Sequence, residues 1–124
     1  MKNRNILIAA LALGCYTPQS PDIYHTQVSC HWNQSLQGYI WVLQAWVYHP
    51  APGGYITDVG AHLSDMDQSA LLTLENQDGP YWESVYTENS TGLVCGRSYS
   101  VSFIAFDELS NSDAETFYYQ QNNP

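Results

Sequence analysis

Basic residues are the scarcest class in this sequence of 124 residues. Lysine and arginine together number three against twelve aspartates and glutamates, and the formal net charge at pH 7 is −9. Two of the three, Lys2 and Arg4, lie at the amino terminus, so the rest of the chain carries only Arg97. Nucleic acids and anionic lipid headgroups are bound through basic patches. We therefore expect neither as a partner, whereas cations and basic proteins remain open.

Catalytic and metal-binding motifs are also missing. The four histidines, His25, His31, His49 and His62, show neither His-x-His nor His-Glu-x-x-His spacing. No Gly-x-Ser-x-Gly sequence or phosphate-binding glycine loop occurs. A triad built from distant residues would leave no such signature. We predict a protein that is not an enzyme and needs no cofactor, with a secreted hydrolase or inhibitor as the weaker alternative.

Long apolar runs are absent too, and residues 6–13 form an apolar run too short to span a bilayer. This run follows a basic start and precedes Ala12-Leu13-Gly14-Cys15, which together indicate a secretion signal. The tetrapeptide resembles the lipobox of bacterial lipoproteins. The resemblance implies that residues 1–14 are a signal peptide and that Cys15 carries the lipid. The alternative is cleavage by ordinary signal peptidase after Ala12, which would leave Cys15 as a thiol.

The lipoprotein resemblance also implies a location. Tyr16 stands where lipoproteins kept in the inner membrane carry aspartate, so we expect an outer membrane protein whose lipid is its sole membrane contact. Residues 15–23 contain Pro18 and Pro21, which indicate an extended tether. Residues 24–124 are then the folded domain.

The three cysteines fit this location. With Cys15 assigned to the lipid, Cys30 and Cys95 remain in a compartment that permits oxidation. We predict a disulfide between them, whose long loop gives roughly 4 kcal/mol of stabilisation at most. A zinc site is not indicated, because these thiols have neither Cys-x-x-Cys spacing nor a nearby histidine pair.

Aromatic and apolar residues are abundant. They make up 14% and 44% of the chain, with ten tyrosines and four tryptophans, and such residues favour strands. Short stretches of them are separated by turn clusters at 50–54, 78–80 and 109–113, without helical periodicity or an internal repeat. The pattern predicts one all-β domain, an antiparallel β-sandwich of about seven strands.

Alternation within the predicted strands assigns a core face. The inward residues are Trp41, Leu43, Ala45 and Val47 in one strand, Val59, Ala61 and Leu63 in the next, and Val101, Phe103 and Ala105 near the end. Asp58, His62 and Ser100 fall on the opposite faces. A shift of one residue would bury Asp58, so we expect a firm register.

The segment Leu93-Val-Cys-Gly96-Arg-Ser-Tyr99 leads into an alternating strand that ends at Asp107. It resembles the sixth strand of fibronectin type III and related bacterial immunoglobulin-like domains, and the resemblance covers residues 38–119. It implies that Tyr99 is the tyrosine-corner residue, whose hydroxyl bonds nearby backbone. Cys95 departs from the family pattern and leaves open how the strand of Cys30 pairs.

Trp46 and Tyr48 lie on the face of their strand opposite the predicted core, beside Ile40 and Val42. A row of outward apolar residues suggests a contact surface for a protein or for stacked sugar rings. The alternative is that the folded tether, a neighbouring strand or the edge of the opposing sheet covers them.

Acidic loop residues offer oxygen ligands that calcium prefers. Asp65, Asp67, Asp107 and Asp113 are weak candidates, but no EF-hand pattern occurs and we predict no bound metal.

Together these features predict a non-catalytic cell-envelope lipoprotein. Its immunoglobulin-like module would serve protein–protein interaction or adhesion. A carbohydrate-binding module for envelope or environmental glycan is the alternative.

Overall fold

A computed structural model of the protein describes residues 19–120. Their seven strands are β1 (Asp22–Asn33), β2 (Gly38–Tyr48), β3 (Ile56–Ser64), β4 (Ser69–Asp78), β5 (Tyr81–Thr87), β6 (Tyr99–Asp107) and β7 (Ser112–Tyr119). One short helix, α1 (Glu88–Thr91), follows β5. Every strand pairing is antiparallel, so the predicted all-β sandwich of seven strands is confirmed. The predicted signal peptide and Cys15 lie outside the described residues.

The strands follow the order β1-β2-β5-β4-β3-β6-β7. Strand β4 changes partner along its length, because residues 69–74 pair with β3 and residues 75–78 pair with β5. It thereby joins a half made of β1, β2 and β5 to a half made of β3, β6 and β7. None of the helices in residues 19–120 has the length and apolar character that crossing a membrane requires.

The core lies between these two halves and contains the alternate residues predicted from the sequence. It also contains Ile23, Leu72, Leu74, Trp82 and Ile40, and Ile40 had been predicted to face outward. Residues at or below 3% exposure include Trp41, Leu43, Ala45, Val47, Val59, Ala61, Leu63, Val101, Phe103 and Ala105. The ring of Trp41 meets that of Tyr99 edge-on at 5.6 Å, and its Nε1 donates to the Leu93 carbonyl at 3.0 Å. Burial of each large apolar side chain contributes about 1.5–3 kcal/mol.

The Cys30–Cys95 disulfide is confirmed, with the two Cα atoms 5.7 Å apart. It ties β1 to the segment that precedes β6, while β1 itself pairs with β2. The hydroxyl of Tyr99 accepts a hydrogen bond from the Val94 backbone N–H at 3.0 Å. This is the backbone contact that the family resemblance implies for a tyrosine-corner residue.

The first strand begins earlier than the sequence indicated. The tether was predicted over residues 15–23, but Asp22 and Ile23 belong to β1, and Pro21 and Ile23 are buried. The Ile23 backbone N–H donates to the Asp113 carboxylate at 2.8 Å, which fixes this strand end against β7. The sandwich therefore includes the last residues of that predicted tether.

The sequence carried no periodic signal for α1, since one turn is too short to show one. Thr87 caps its start, because the Thr87 side chain accepts from the Ser90 backbone N–H at 3.0 Å. Gly92 ends it with φ 77°, a left-handed conformation that glycine adopts without steric cost.

Candidate functional site

Three β-bulges lie at the same end of the sandwich. Register shifts leave Tyr24 in β1, Thr57 in β3 and Gln77 in β4 as extra residues. The strands β1, β3, β5 and β7 begin at this end, and β2, β4 and β6 finish there. A bulge bends its strand and redirects a side chain, and bulges are frequent beside functional sites. We call this region the cleft end and the opposite region the disulfide end.

A cleft of about 560 Å³ opens at the cleft end. Its aromatic and aliphatic lining residues are Tyr24, Val47, Tyr48, Tyr55, Ile56 and Trp82. Three of these side chains stand out into solvent, with exposures of 54% for Tyr24, 55% for Tyr48 and 60% for Tyr55. We call them the cleft tyrosines. They come from β1, from β2 and from the loop before β3, so the fold gathers them from distant parts of the sequence.

The side chains of the cleft tyrosines have no hydrogen bond or ring contact within residues 19–120. Other tyrosines are engaged: Tyr81 accepts from Gln44 at 2.7 Å, and Tyr86 donates to the Thr73 carbonyl at 2.7 Å. An aromatic ring with a polar tip supplies much contact area at low entropic cost. The cleft therefore presents three such surfaces that the domain itself does not use.

Trp82 forms part of the cleft wall and is 8% exposed. Its indole N–H has no hydrogen-bond partner within the described part of the chain. Buried polar groups in native proteins are nearly always paired with protein or with water, and Trp82 borders both this cleft and a second groove formed by β3, β4 and β6. The other polar wall residue on this side, Asn76, donates to the carbonyls of Gly79 and Tyr81 at 3.0 and 3.3 Å.

The base of the cleft contains His49, whose two ring nitrogens are both engaged. Its Nδ1 accepts from the Ala51 backbone N–H at 3.1 Å, so the proton lies on Nε2, which donates to Asp107 at 2.9 Å. A Cβ at Gly54 would come within 2.4 Å of this ring, so the close approach requires glycine. The imidazole joins the loop between β2 and β3 to the end of β6.

Asp107 is nearly fully buried and accepts from several donors. Burial pushes its pKa up, but donors from His49, Asn111 and Leu109 outweigh burial and hold the pKa below its ordinary value. Glu108 lies 4.0 Å from His49, and the three residues are close enough to hold a metal ion. To bind a metal or act as a catalytic base, His49 would need a free imidazole nitrogen, and both nitrogens are already hydrogen-bonded within the domain. The cluster is therefore suited to a structural role.

The predicted contact residues Trp46 and Tyr48 occupy different environments. Tyr48 lines the cleft, while Trp46 is half-buried on the outer face of β2. Trp46 stacks on Tyr81 with ring centroids 4.8 Å apart and meets His25 at 4.9 Å. Residues of β5 and β1 thus flank Trp46, as in the alternative raised from the sequence.

The predicted calcium candidates divide between the two ends of the sandwich. Asp65 and Asp67 hold Arg97 at 2.9 and 3.1 Å, and Asp65 also accepts from two turn N–H groups at 2.8 Å. The backbone donor of Asp67 and the charge of Arg97 lower the Asp65 pKa against a desolvation that raises it. At the cleft end, Asp107 binds His49 and Asp113 binds Ile23. The four carboxylates therefore form no common site.

Comparison with protein families, curated proteins and solved structures finds no match for this chain. The fold and the site alone thus define its class, a disulfide-bonded antiparallel β-sandwich with an aromatic cleft at one end. The resemblances to bacterial lipoproteins and to fibronectin type III or immunoglobulin-like domains stay predictions.

Proposed function

We propose that this protein is a non-catalytic binding module of the bacterial cell envelope that holds a protein partner in its aromatic cleft. The observation that carries the proposal is the convergence of Tyr24, Tyr48 and Tyr55 on one cleft with their side chains unpaired. Tyrosine is enriched in protein-binding surfaces because its rigid ring buries a large area and its hydroxyl adapts to the partner.

The cleft suits a protein segment better than a glycan. A sugar presents hydroxyl groups around its ring, and each loses water when buried, so each needs a polar partner. His49 and the Asn76 amide nitrogen are already hydrogen-bonded within the domain, so at the wall a sugar would depend on the tyrosine hydroxyls and the Trp82 indole N–H. A glycan-binding function remains the second candidate, because exposed tyrosine rings also stack on sugars.

A non-catalytic role agrees with the hydrogen bonds of His49. Both of its ring nitrogens already have partners, so neither is available to accept a proton from a nucleophile. The Cys30–Cys95 disulfide agrees with an oxidising compartment. If Cys15 carries a lipid, the seven steps from Cys15 to Asp22 reach at most about 25 Å. The cleft end, where β1 begins, would then work close to the membrane that holds the protein.

A cross-linking pull-down from envelope fractions tests the proposal. The purified protein is compared with a variant carrying Tyr24→Ala, Tyr48→Ala and Tyr55→Ala. A control carries Tyr118→Ala and Leu71→Ala, which are exposed to 67% and 71% and lie away from the cleft. We expect one partner that wild type and control recover and the cleft variant loses.

Equal recovery by all three proteins would contradict the proposal. Binding to a glycan array that the cleft variant alone loses would favour the carbohydrate-binding alternative. Thermal unfolding of each variant checks that the loss reflects binding, because side chains this exposed should shift the midpoint little.

A further inference from the structure

We infer that the cleft takes a positively charged ligand, a lysine- or arginine-rich segment of the partner protein. This inference rests on the proposed function and adds the chemistry that the cleft recognises. It is drawn from where the carboxylates lie, which of them lack partners, and what the cleft wall offers.

Half of the twelve carboxylates lie at the cleft end. They are Asp22, Asp58, Asp78, Asp107, Glu108 and Asp113. In residues 19–120 Arg97 is the one Lys or Arg, and it lies at the disulfide end between Asp65 and Asp67. The cleft end therefore has a strong negative potential, and a concave surface of one sign concentrates ligands of the opposite sign.

Two of these carboxylates are exposed next to residues that line the cleft, and we call them the rim carboxylates. Asp22 lies directly opposite Tyr48 in the pairing of β1 with β2. Asp78 ends β4 and precedes Gly79 and Pro80, which line the cleft. Within the described part of the chain, neither carboxylate has a hydrogen bond or an ion pair. A bound ammonium or guanidinium group would supply the missing partner.

The cleft wall offers contacts that suit the same ligand. A lysine or arginine side chain over a tyrosine face gains about 0.5–1 kcal/mol at an exposed site and more when water is excluded. The apolar stem of such a side chain can pack on Ile56 and on the tyrosine rings, while its charged head reaches the rim carboxylates. Trp82 adds a further aromatic side chain to this wall.

The rim carboxylates also favour a charged ligand over a neutral apolar peptide. An apolar segment would remove water from the rim carboxylates without replacing its hydrogen bonds, and that desolvation is costly. A free metal ion is not favoured, because His49 and Asp107 already satisfy each other and because the tyrosine rings would serve no purpose.

Isothermal titration calorimetry on the purified full chain tests the inference. The probes are capped oligolysine, oligoglutamate and oligoserine peptides of equal length, at low and at physiological salt. One variant carries Asp22→Asn and Asp78→Asn. Its matched control carries Asp67→Asn and Glu115→Gln, exposed residues that do not adjoin the cleft lining, and has the same net charge.

We expect wild type to bind oligolysine and neither other peptide, with weaker binding at higher salt. The rim variant should bind oligolysine about tenfold more weakly, a loss of about 1.4 kcal/mol, and the matched control should stay within about twofold of wild type. The triple cleft tyrosine variant should also lose affinity, because it removes the ring faces.

Equal oligolysine affinity in the two charge-matched variants would overturn the inference, since it would show attraction to overall charge. So would an absence of oligolysine binding. In either case the proposed function still holds if the pull-down recovers a partner with wild type and not with the cleft tyrosine variant. If that variant keeps its partner, the proposed function itself fails.

Discussion

The two ends of this sandwich differ in how their polar and aromatic groups are used. At the disulfide end, Cys30 is bonded to Cys95, and the buried Tyr99 accepts a hydrogen bond from the Val94 backbone N–H. Arg97 forms ion pairs with two aspartates. Even the exposed Trp32 and Tyr39 there meet edge-on at 5.3 Å. These groups of the disulfide end are thus bonded or in contact within the domain.

The cleft end satisfies fewer of its groups. Its cleft tyrosines have no side-chain partner in residues 19–120, and bulges interrupt the strand pairing beside them. The two ends therefore contribute differently to the stability of the fold. The disulfide end stabilises the fold through covalent and hydrogen-bonded contacts. The cleft end adds the buried His49–Asp107 cluster but also keeps tyrosine surfaces that contribute little until a ligand binds.

Replacing both Cys30 and Cys95 with Ser should give the largest effect on stability. The bridge closes a loop with a sequence separation of 65, and the loss of a native disulfide in a small domain costs about 2–5 kcal/mol. Urea unfolding of the double variant measures this cost. A change below about 1 kcal/mol would show that the disulfide end does not depend on its bridge.

Replacing Asp107 with Asn should cost about 1–3 kcal/mol at neutral pH, because the substitution weakens a buried hydrogen-bond cluster. The lowered pKa of Asp107 in the folded state means that its contribution is complete above the ordinary value of 3.8. The contribution is lost as pH falls through the lower, folded-state pKa.

Urea titrations from pH 7 down to acid pH measure this linkage. The gap in stability between wild type and Asp107→Asn should narrow below the ordinary pKa. A gap that stays constant to strongly acid pH would contradict the assigned hydrogen bonds.

A pair of identical substitutions compares the two ends directly. Tyr99→Phe removes a hydroxyl that accepts from the Val94 N–H, so it should cost about 1–2 kcal/mol. Tyr48→Phe removes an exposed hydroxyl without a partner and should stay within about 0.5 kcal/mol of wild type. Chemical denaturation measures both variants, and equal losses would remove the contrast between the two ends.

A last comparison separates Trp46 from Tyr48. Trp46→Ala loses ring contacts with Tyr81 and His25, each worth about 0.5–1.5 kcal/mol, in addition to its buried area. Tyr48→Ala should change the unfolding midpoint much less and reduce partner capture more. Thermal unfolding and the pull-down together report both quantities, and the reverse pattern would place the binding surface on the outer face of β2.

The core was predictable because strand side chains alternate strictly between two faces. Trp41, Val59 and Phe103 show this period over long runs, so each could be assigned inward before its neighbours were known. The disulfide followed from the expected compartment and the number of cysteines. These signals are local or compositional, and a single sequence contains them.

The cleft was not predictable in the same way. A bulge adds one residue to a strand, and nothing in the local sequence around Tyr24 or Thr57 marks that insertion. Tyr24, Tyr48 and Tyr55 meet because of the strand order and the loop before β3, which alternation does not specify. The His49–Asp107 contact joins residues 58 positions apart and has no motif.

Nuclear magnetic resonance during titration with the captured partner tests the central claim most directly. The account predicts that the largest shifts occur at the Trp82 indole N–H and at the backbone amides of Tyr24, Tyr48 and Tyr55, while the Trp41 indole N–H and the Tyr99 amide stay unchanged. Shifts concentrated at the disulfide end, with the cleft tyrosines unaffected, would contradict it.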